Sequence, residues 1–407
     1  MKPVSLQELV GMLTPGERVF VSGSAGEPTA LTEAIATTEG LPACHYYCSF
    51  IPGVNKFNLA GSGEMTVNFM QPGFAKPGAG KVNFAPMTYS QIGLQLSQPG
   101  AIDTVLVQVA PPDAQGRCSV GPQGEFLPGI LANKPRILAL INPNVPSLAK
   151  SASIALEDIS AYAEVDTKLA CYDAGNDNAV SQAIADSIAS LLPDGAALQC
   201  GLGKVPNQLM KALANHRNLR IHSGMVSDGL LGLLESGSVD MSQPIISTVA
   251  LGSESLYPEL TNIEQLEICG VERSHSAAIL AATPKLFAVN SALEVDLTGQ
   301  VNAEMLGGRS LSGPGGLPDF AAAARAQADG LSIIALPAAD PKGEISRLVA
   351  KLPAGTPVSV PQYNVDVLIT EFGIAHLRGV DLKTRAKRII DIAHPNHRAS
   401  LEEAFFQ

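Results

Sequence analysis

The chain has 407 residues, which is enough for two or three domains with sizeable buried cores. Hydrophobic residues make up 46% of it and charged residues 16%, a composition that excludes a disordered protein. The net charge of −11, without any block of like charges, argues against nucleic-acid and anionic-membrane partners. No apolar run predicts a membrane span, and residues 1–5 lack a signal-peptide pattern, so we expect a cytoplasmic protein.

Six cysteines are too few for a disulfide framework in a chain of this length. Cys44 and Cys48 flank His45, but no second pair of ligands with metal-site spacing accompanies them. We therefore expect no metal, and we interpret both cysteines as small apolar residues of a buried strand.

The first elements of the chain follow the order helix, strand, glycine-rich turn, helix. Apolar periodicity predicts a helix over 6–13 and a strand over 18–22, and a second helix begins at Thr29. The turn over 23–28 reads Gly-Ser-Ala-Gly-Glu-Pro. Such a turn lets the backbone approach a ligand closely, and the helix that follows it can attract an anion.

The same order of elements returns later in the chain. A helix over 180–192, a strand over 196–200 and the turn Gly-Leu-Gly-Lys-Val-Pro over 201–206 precede a helix that begins at Asn207. Three pairs of landmarks share one offset of 178 residues: Pro15 and Pro193, Gly23 and Gly201, Pro28 and Pro206. This spacing indicates a duplicated unit, although two unrelated strand–turn–helix segments would also need glycines.

Further segments extend this pattern. Buried-strand runs occur at 104–109, 332–336 and 365–370, and helix patterns cover 384–393 and 399–406. Strands that alternate with helices favour an α/β fold with mostly parallel sheets. We predict two tandem domains, 1–175 and 176–407, that face each other across a cleft.

The second half of the chain carries the segments of chemical interest. Besides the turn over 201–205, they are Ile-His-Ser-Gly-Met-Val-Ser-Asp-Gly at 221–229, Asn-Ser-Ala-Leu-Glu-Val-Asp-Leu-Thr-Gly-Gln-Val at 290–301, Ser-Gly-Pro-Gly-Gly at 312–316 and Pro-Lys-Gly at 341–343. The first turn alone is a weak signal, because it lacks the third glycine of a dinucleotide-binding fingerprint. Five glycines within 307–316 indicate a backbone that lies against something flat or extended.

Together these motifs resemble the acetyl-CoA hydrolase/transferase family, which includes 4-hydroxybutyrate, butyrate and succinyl-CoA:acetate CoA-transferases. The resemblance extends to 111–116 and 144–146 and so covers nearly the whole chain. It implies two tandem CoA-transferase-like domains, coenzyme A bound as an acyl-CoA substrate, a small carboxylic acid as a further partner, and a homodimer. It places contacts with CoA at Gly201, Leu202, Gly203, Lys204, Val205, Ser312, Gly315, Gly316 and Lys342.

The chain departs from the family pattern at Gly224. In typical members the residue that follows the His-Thr/Ser pair is a glutamate, which attacks the acyl-CoA and carries CoA as a glutamyl thioester. Glycine has no side chain for this chemistry. A water activated by another carboxylate could hydrolyse the thioester instead, and Glu27 in the first glycine turn is a candidate base, as are Glu254 and Glu294. Ser223 is a further catalytic candidate.

Several functions remain open at this point. Backbone amides in the glycine turns would stabilise an oxyanion whichever group attacks, which favours an enzyme that acts on short acyl-CoA thioesters. The alternatives are a hydrolase of carbon–carbon bonds in CoA thioesters, and a CoA-ester-binding protein without catalysis.

Three other patterns predict structural roles. The alternation at 293–297 predicts a half-exposed strand with solvated carboxylates at Glu294 and Asp296. Arg378 is expected to pair with Glu371, and the histidines of 394–397 are expected to be structural.

Overall fold

The computed structural model describes residues 2–76 and 78–406, the last of these by its backbone alone. In this part of the chain the α-helices are α1 (Leu6–Val10), α2 (Thr29–Thr37), α3 (Tyr89–Leu96), α4 (Leu127–Leu131), α5 (Ala179–Ala189), α6 (Lys204–Ala212), α7 (Gly229–Glu235), α8 (Leu256–Leu260), α9 (Val271–Ser274), α10 (Ala277–Ala281), α11 (Leu317–Ala326), α12 (Leu382–Asp391) and α13 (Pro395–Phe406). Short 3-10 turns cover Ser24–Gly26, Leu59–Ser62, Leu156–Asp158, Leu213–Asn215 and Gln362–Asn364.

The strands of the same residues are β1 (Arg18–Val21), β2 (Cys44–Cys48), β3 (Gly63–Val67), β4 (Lys81–Phe84), β5 (Thr104–Val109), β6 (Arg117–Ser119), β7 (Arg136–Ile141), β8 (Ser153–Ala155), β9 (Ala161–Glu164), β10 (Ala197–Cys200), β11 (Arg220–Ile221), β12 (Met225–Val226), β13 (Ile245–Ser247), β14 (Val249–Ala250), β15 (Leu266–Ile268), β16 (Leu286–Ser291), β17 (Glu294–Asp296), β18 (Val301–Asn302), β19 (Met305–Leu306), β20 (Arg309–Ser310), β21 (Leu331–Ala335), β22 (Leu348–Val349), β23 (Val367–Thr370) and β24 (Gly373–His376).

Seven strands form the first sheet, in the order β4-β3-β2-β1-β5-β7-β9, and every neighbouring pair is parallel. Both faces of this sheet are covered: Val21 packs into a core on one face, and Phe20 packs into a core on the other. All six residues of β5 are buried, which explains its continuous apolar sequence.

The second sheet has the order β11-β10-β16-β21-β23-β24, and only the last pair is antiparallel. Leu198 of β10 packs on one side of this sheet with α5 and α6, and Ala197 packs on the other side with Phe320 of α11. The prediction of an α/β fold with mostly parallel sheets is confirmed. The proposed boundary at 175/176 lies between β9 and α5 and stays a prediction.

The two glycine turns follow β1 and β10, as the shared spacing predicts. The helix after the second turn begins at Lys204 and not at Asn207, so the prediction of its start was wrong. Pro206 is tolerated inside this helix because the N–H groups of a first turn have no partner within the helix. The helix α6 can therefore begin at Lys204 and include Pro206 as its third residue.

Two other predictions were wrong. Asp296 is fully buried, and its carboxylate accepts hydrogen bonds from the backbone N–H and hydroxyl of Thr298. Arg378 pairs with Asp366 at 2.7 Å rather than with Glu371, because the antiparallel pairing of β23 with β24 brings Arg378 back beside the start of β23. Glu371 instead accepts from a backbone N–H.

Cys44 and Cys48 are buried in β2, where they contribute to the core of the first sheet. Within residues 2–76 and 78–406, no group of three or more His, Cys, Asp or Glu side chains could hold a metal ion. None of the helices described for this chain is both long enough and apolar enough to cross a lipid bilayer.

Candidate active site

Gly224 immediately precedes β12, and its carbonyl accepts a hydrogen bond from the N–H of Thr248 at 3.2 Å. A Cβ atom built on Gly224 would lie 3.3 Å from both Cε1 and Nε2 of His275 and 3.9 Å from a ring carbon of Phe320. Apart from the two chain neighbours, these are the nearest heavy atoms among the described residues, so no carboxylate oxygen of those residues lies closer than 3.9 Å. The space to which a side chain at 224 would point is bordered by an imidazole ring.

His275 was not singled out from the sequence, and it follows the short helix α9. Its Nδ1 lies 2.8 Å from the hydroxyl of Ser274. The ring stacks on Tyr89, with centroids 5.0 Å apart, and it meets the ring of Phe320 edge-on at 4.8 Å. Burial lowers the pKa of His275 to about 3, so the imidazole is neutral near pH 7.

The glycine turn over 312–316 packs against His275 and against the first half of the chain. A Cβ atom on Gly316 would lie 2.9 Å from Cδ2 of His275 and closer still to Nε2. A Cβ atom on Gly313 would overlap the carbonyl oxygen of Asn68, and one on Gly315 would press on the ring of Phe69 at 3.3 Å. The glycines are therefore required here for close packing between the two halves.

Hydrogen bonds also hold this turn to α3. The N–H of Tyr89 donates to the carbonyl of Gly315 at 3.1 Å. Asp319, in the first turn of α11, accepts from the N–H of Ser90 at 3.1 Å and from its hydroxyl at 2.7 Å. This carboxylate lies at the N-terminal ends of two helices, where the helix dipoles favour a negative charge. Burial nevertheless raises the pKa of Asp319.

A second carboxylate, that of Glu125, is buried next to Tyr89. The Tyr89 hydroxyl donates to Glu125 Oε1 at 2.8 Å, and Gln123 Nε2 donates to Glu125 Oε2. Burial raises the pKa of Glu125 to about 7. The carbonyl of Glu125 accepts from the N–H of Val271 at 2.8 Å, which fixes the start of α9 and thereby the position of His275.

The two catalytic candidates other than Gly224 are both engaged in internal hydrogen bonds. Glu27 is buried, and its two carboxylate oxygens accept from the Thr32 hydroxyl and from Asn55 Nδ2, both at 2.7 Å. Burial raises the pKa of Glu27. The hydroxyl of Ser223 donates to the carbonyl of Cys200 at 2.8 Å and so ties the segment before Gly224 to the end of β10.

The two alternative carboxylates are likewise paired. Glu254 is exposed and lies 2.9 Å from the ammonium group of Lys168. Glu294 accepts from Asn302 Nδ2 at 3.0 Å across the β17–β18 pair. In the described residues, neither is among the nearest atoms to the position at 224.

The residues that the resemblance assigns to CoA lie in three places. Leu202 and Gly203 line a cavity of about 490 Å³. Lys204 is exposed at the start of α6, and the two remaining residues of this turn, Gly201 and Val205, are half-buried. Gly315 lies next to Tyr89 of α3 and Gly316 next to His275, whereas the backbone N–H of Ser312 donates to the carbonyl of Glu304 at 3.2 Å. Lys342 is exposed in the turn before β22, and the neighbouring Gly343 packs against His394 near the C-terminal helix.

A larger cavity of about 870 Å³ lies between α3, α4 and the segment α9–α11, and His275 is part of its wall. Most of its other wall residues are small or apolar, such as Gly93, Ala277 and Ala323, and its two acidic residues are Glu272 and Asp319. Neither lysine nor arginine is among the described residues that line it. This lining suits an uncharged group better than a phosphate.

Comparison with known proteins identifies the family. Residues 252–405 match the family described as acetyl-CoA hydrolase/transferase C-terminal domain. Over 427 aligned positions the chain is 30% identical to 4-hydroxybutyrate coenzyme A transferase of Clostridium kluyveri, with 99% of this chain and 97% of that protein covered. The chain belongs to the acetyl-CoA hydrolase/transferase family.

Solved structures agree with this assignment. RipA from Yersinia pestis superposes with a TM-score of 0.92 at 28% identity, over 99% of this chain and 96% of that one. A 4-hydroxybutyrate CoA-transferase from Porphyromonas gingivalis superposes with a TM-score of 0.81 at 26% identity, over 98% and 95% of the two chains. The tandem CoA-transferase-like fold and the acyl-CoA chemistry expected from the motifs are thus those of the family.

Proposed function

We propose that the protein hydrolyses short acyl-CoA thioesters without forming a glutamyl-CoA intermediate. The observation that carries this proposal is the surroundings of Gly224: a neutral imidazole lies where its side chain would project, and among the described residues no carboxylate oxygen comes within 3.9 Å of a Cβ built on it. Transfer through a glutamyl thioester needs a carboxylate side chain that holds CoA until the acceptor acid arrives. Hydrolysis needs only a water and a base.

The proposed binding mode divides CoA between the two cavities. The turn over 201–205 and the N-terminus of α6 offer backbone N–H groups and the Lys204 ammonium group to the phosphates. The acyl group and the adjoining arm of CoA occupy the apolar cavity of about 870 Å³. The thioester then lies near Gly224, Ser312, Gly315 and Gly316, whose backbone would stabilise the oxyanion. Lys342 remains a candidate contact with CoA, and Glu27 and Ser223 remain catalytic candidates.

The test is to incubate the protein with acetyl-, propionyl- and butyryl-CoA, with and without acetate, while free thiol and new thioesters are measured. Thiol release without an acceptor supports hydrolysis. A new thioester that appears only with acetate indicates transfer and contradicts the proposal. Borohydride should trap no glutamyl adduct.

A CoA-ester-binding protein without catalysis is the second candidate. The contact between Gly316 and His275 favours it, because the turn's backbone then faces protein rather than open space. Tight binding of CoA in calorimetry, with neither thiol release nor a new thioester from any acyl-CoA, would establish this function. The cytoplasmic location and the homodimer stay predictions.

A further inference from the structure

The apolar cavity of about 870 Å³ runs along one face of α11. Pro318, Ala322 and Ala326 recur every four residues on this helix, and all three line the cavity. At 1.5 Å per residue, the lined face of the helix is about 12 Å long. Val271 of the lining is buried and Leu94 is 68% exposed, so the cavity extends from the protein interior to the solvent. These dimensions accommodate an acyl chain of several carbons.

The cavity offers no cation to an anionic group. Neither lysine nor arginine is among the described residues that line it. The arginines of the two adjoining helices are engaged elsewhere, because Arg273 of α9 pairs with Glu267 at 2.7 Å and Arg325 of α11 pairs with Asp366 at 3.0 Å. A carboxylate that entered the cavity would therefore lose hydrating water without gaining a positive partner, which costs free energy.

Glu272 adds a negative charge to the same lining. It is exposed, so its carboxylate is ionised at neutral pH. Among residues 2–76 and 78–406, this carboxylate forms neither a hydrogen bond nor an ion pair. The other acidic residue of the lining, Asp319, differs because its carboxylate accepts two hydrogen bonds from Ser90. Glu272 therefore carries the negative charge of the cavity that its surroundings compensate least.

We propose that this cavity selects acyl groups with an uncharged alkyl end, and that Glu272 excludes acyl groups that carry a second carboxylate. The selectivity rests on the proposed function for the position of the acyl group. A butyryl group would lay its carbons against alanine side chains, and each buried methylene strengthens binding about fourfold. A succinyl group has the same number of carbons but would bring a carboxylate among these side chains and toward Glu272, where like charges repel.

The experiment measures the dissociation constants of S-butyl-CoA and S-(3-carboxypropyl)-CoA by calorimetry. Both are thioethers that cannot be hydrolysed, and they differ only in the terminal carboxylate. Wild type should bind S-butyl-CoA at least about tenfold more tightly. Glu272→Arg should reduce this preference about tenfold at low salt and less at high salt, and Glu272→Gln should reduce it by a smaller factor.

Glu264→Arg is the matched control. Glu264 is exposed just before β15, outside the described lining of the cavity, and its substitution changes the net charge by the same amount. The ratio of the two dissociation constants cancels any effect on the CoA moiety, which both analogues share. The control should therefore keep the preference of wild type.

Binding of the analogues needs no catalysis, so the outcomes separate this inference from the function on which it rests. If wild type shows the expected preference but releases thiol from no acyl-CoA, hydrolysis fails and the selectivity of the cavity stands. If wild type hydrolyses acyl-CoA but binds the two analogues equally, or binds neither, the selectivity is overturned. If Glu272→Arg and Glu264→Arg keep the same preference, the role of Glu272 is overturned. Glu272→Gln decides this last point if Glu272→Arg does not fold.

Discussion

Replacing Glu125 with glutamine removes a buried ionisable group while it keeps the shape of the side chain. The carboxylate accepts hydrogen bonds from Tyr89 and Gln123, and burial raises its pKa to about 7. In Glu125→Gln the amide oxygen still accepts from Tyr89. The new NH₂ group faces Gln123, whose Oε1 is buried without a hydrogen-bond partner in the described structure. If the Gln123 amide flips, this oxygen can accept a hydrogen bond from the new NH₂ group.

The sign of the pH effect follows from proton linkage. The pKa of Glu125 in the unfolded chain is near the ordinary value of 4.5, and in the folded protein it is about 7. Between these values the folded state binds more protons than the unfolded state, so the free energy of unfolding falls as pH rises. At about 1.4 kcal/mol per pH unit, the loss amounts to about 3 kcal/mol by pH 8. The variant lacks this contribution, so its stability relative to wild type should rise by that amount between pH 4 and pH 8.

Urea unfolding at several pH values measures this difference. The chain has no tryptophan, so far-UV circular dichroism is the suitable signal. Buried histidines have the opposite pH dependence, but both proteins contain them, and their effect cancels in the difference. Glu33→Gln, at an exposed position of α2, is the matched control and should follow wild type at every pH. Identical pH dependence in Glu125→Gln and wild type would contradict a raised pKa of Glu125 in the folded protein.

Three further predictions concern the site. Gly224→Glu alone should give no CoA transfer, because the new side chain would collide with the ring of His275. The double variant Gly224→Glu with His275→Ala should form a new thioester in the presence of acetate, and borohydride should trap a glutamyl adduct. Equal behaviour of the two variants would contradict this prediction. In urea unfolding, Gly316→Ala should lower the free energy of unfolding by about 2 kcal/mol, because the new methyl group would overlap with His275. The control Gly232→Ala lies in open space on α7 and should raise the free energy of unfolding by up to about 1 kcal/mol. Lys204→Ala should weaken CoA binding in calorimetry by about tenfold at low salt and less at high salt, and an unchanged affinity would exclude a phosphate contact.

Local sequence signals predicted much of the fold. The strand predicted over 104–109 is β5, because a run buried on both faces of a parallel sheet has a continuous apolar sequence. The predicted partner of Arg378 was wrong, because the choice between Glu371 and Asp366 depends on how two strands pair. The prediction that Asp296 is solvated was wrong for a similar reason: the alternation of apolar and acidic residues along a short strand does not show what covers its outer face.

Four features could be predicted from the amino-acid sequence alone: the family, the α/β class, the order of the glycine turns and the absence of a side chain at Gly224. These features are local, and each can be recognised from neighbouring residues in the chain. The contact of His275 with Gly224 and Gly316 could not be predicted in this way, because the three residues belong to different segments and meet through the packing of α9, α11 and β12. A single buried histidine has no periodicity that would indicate such a meeting, and its chemistry depends on which atoms surround it.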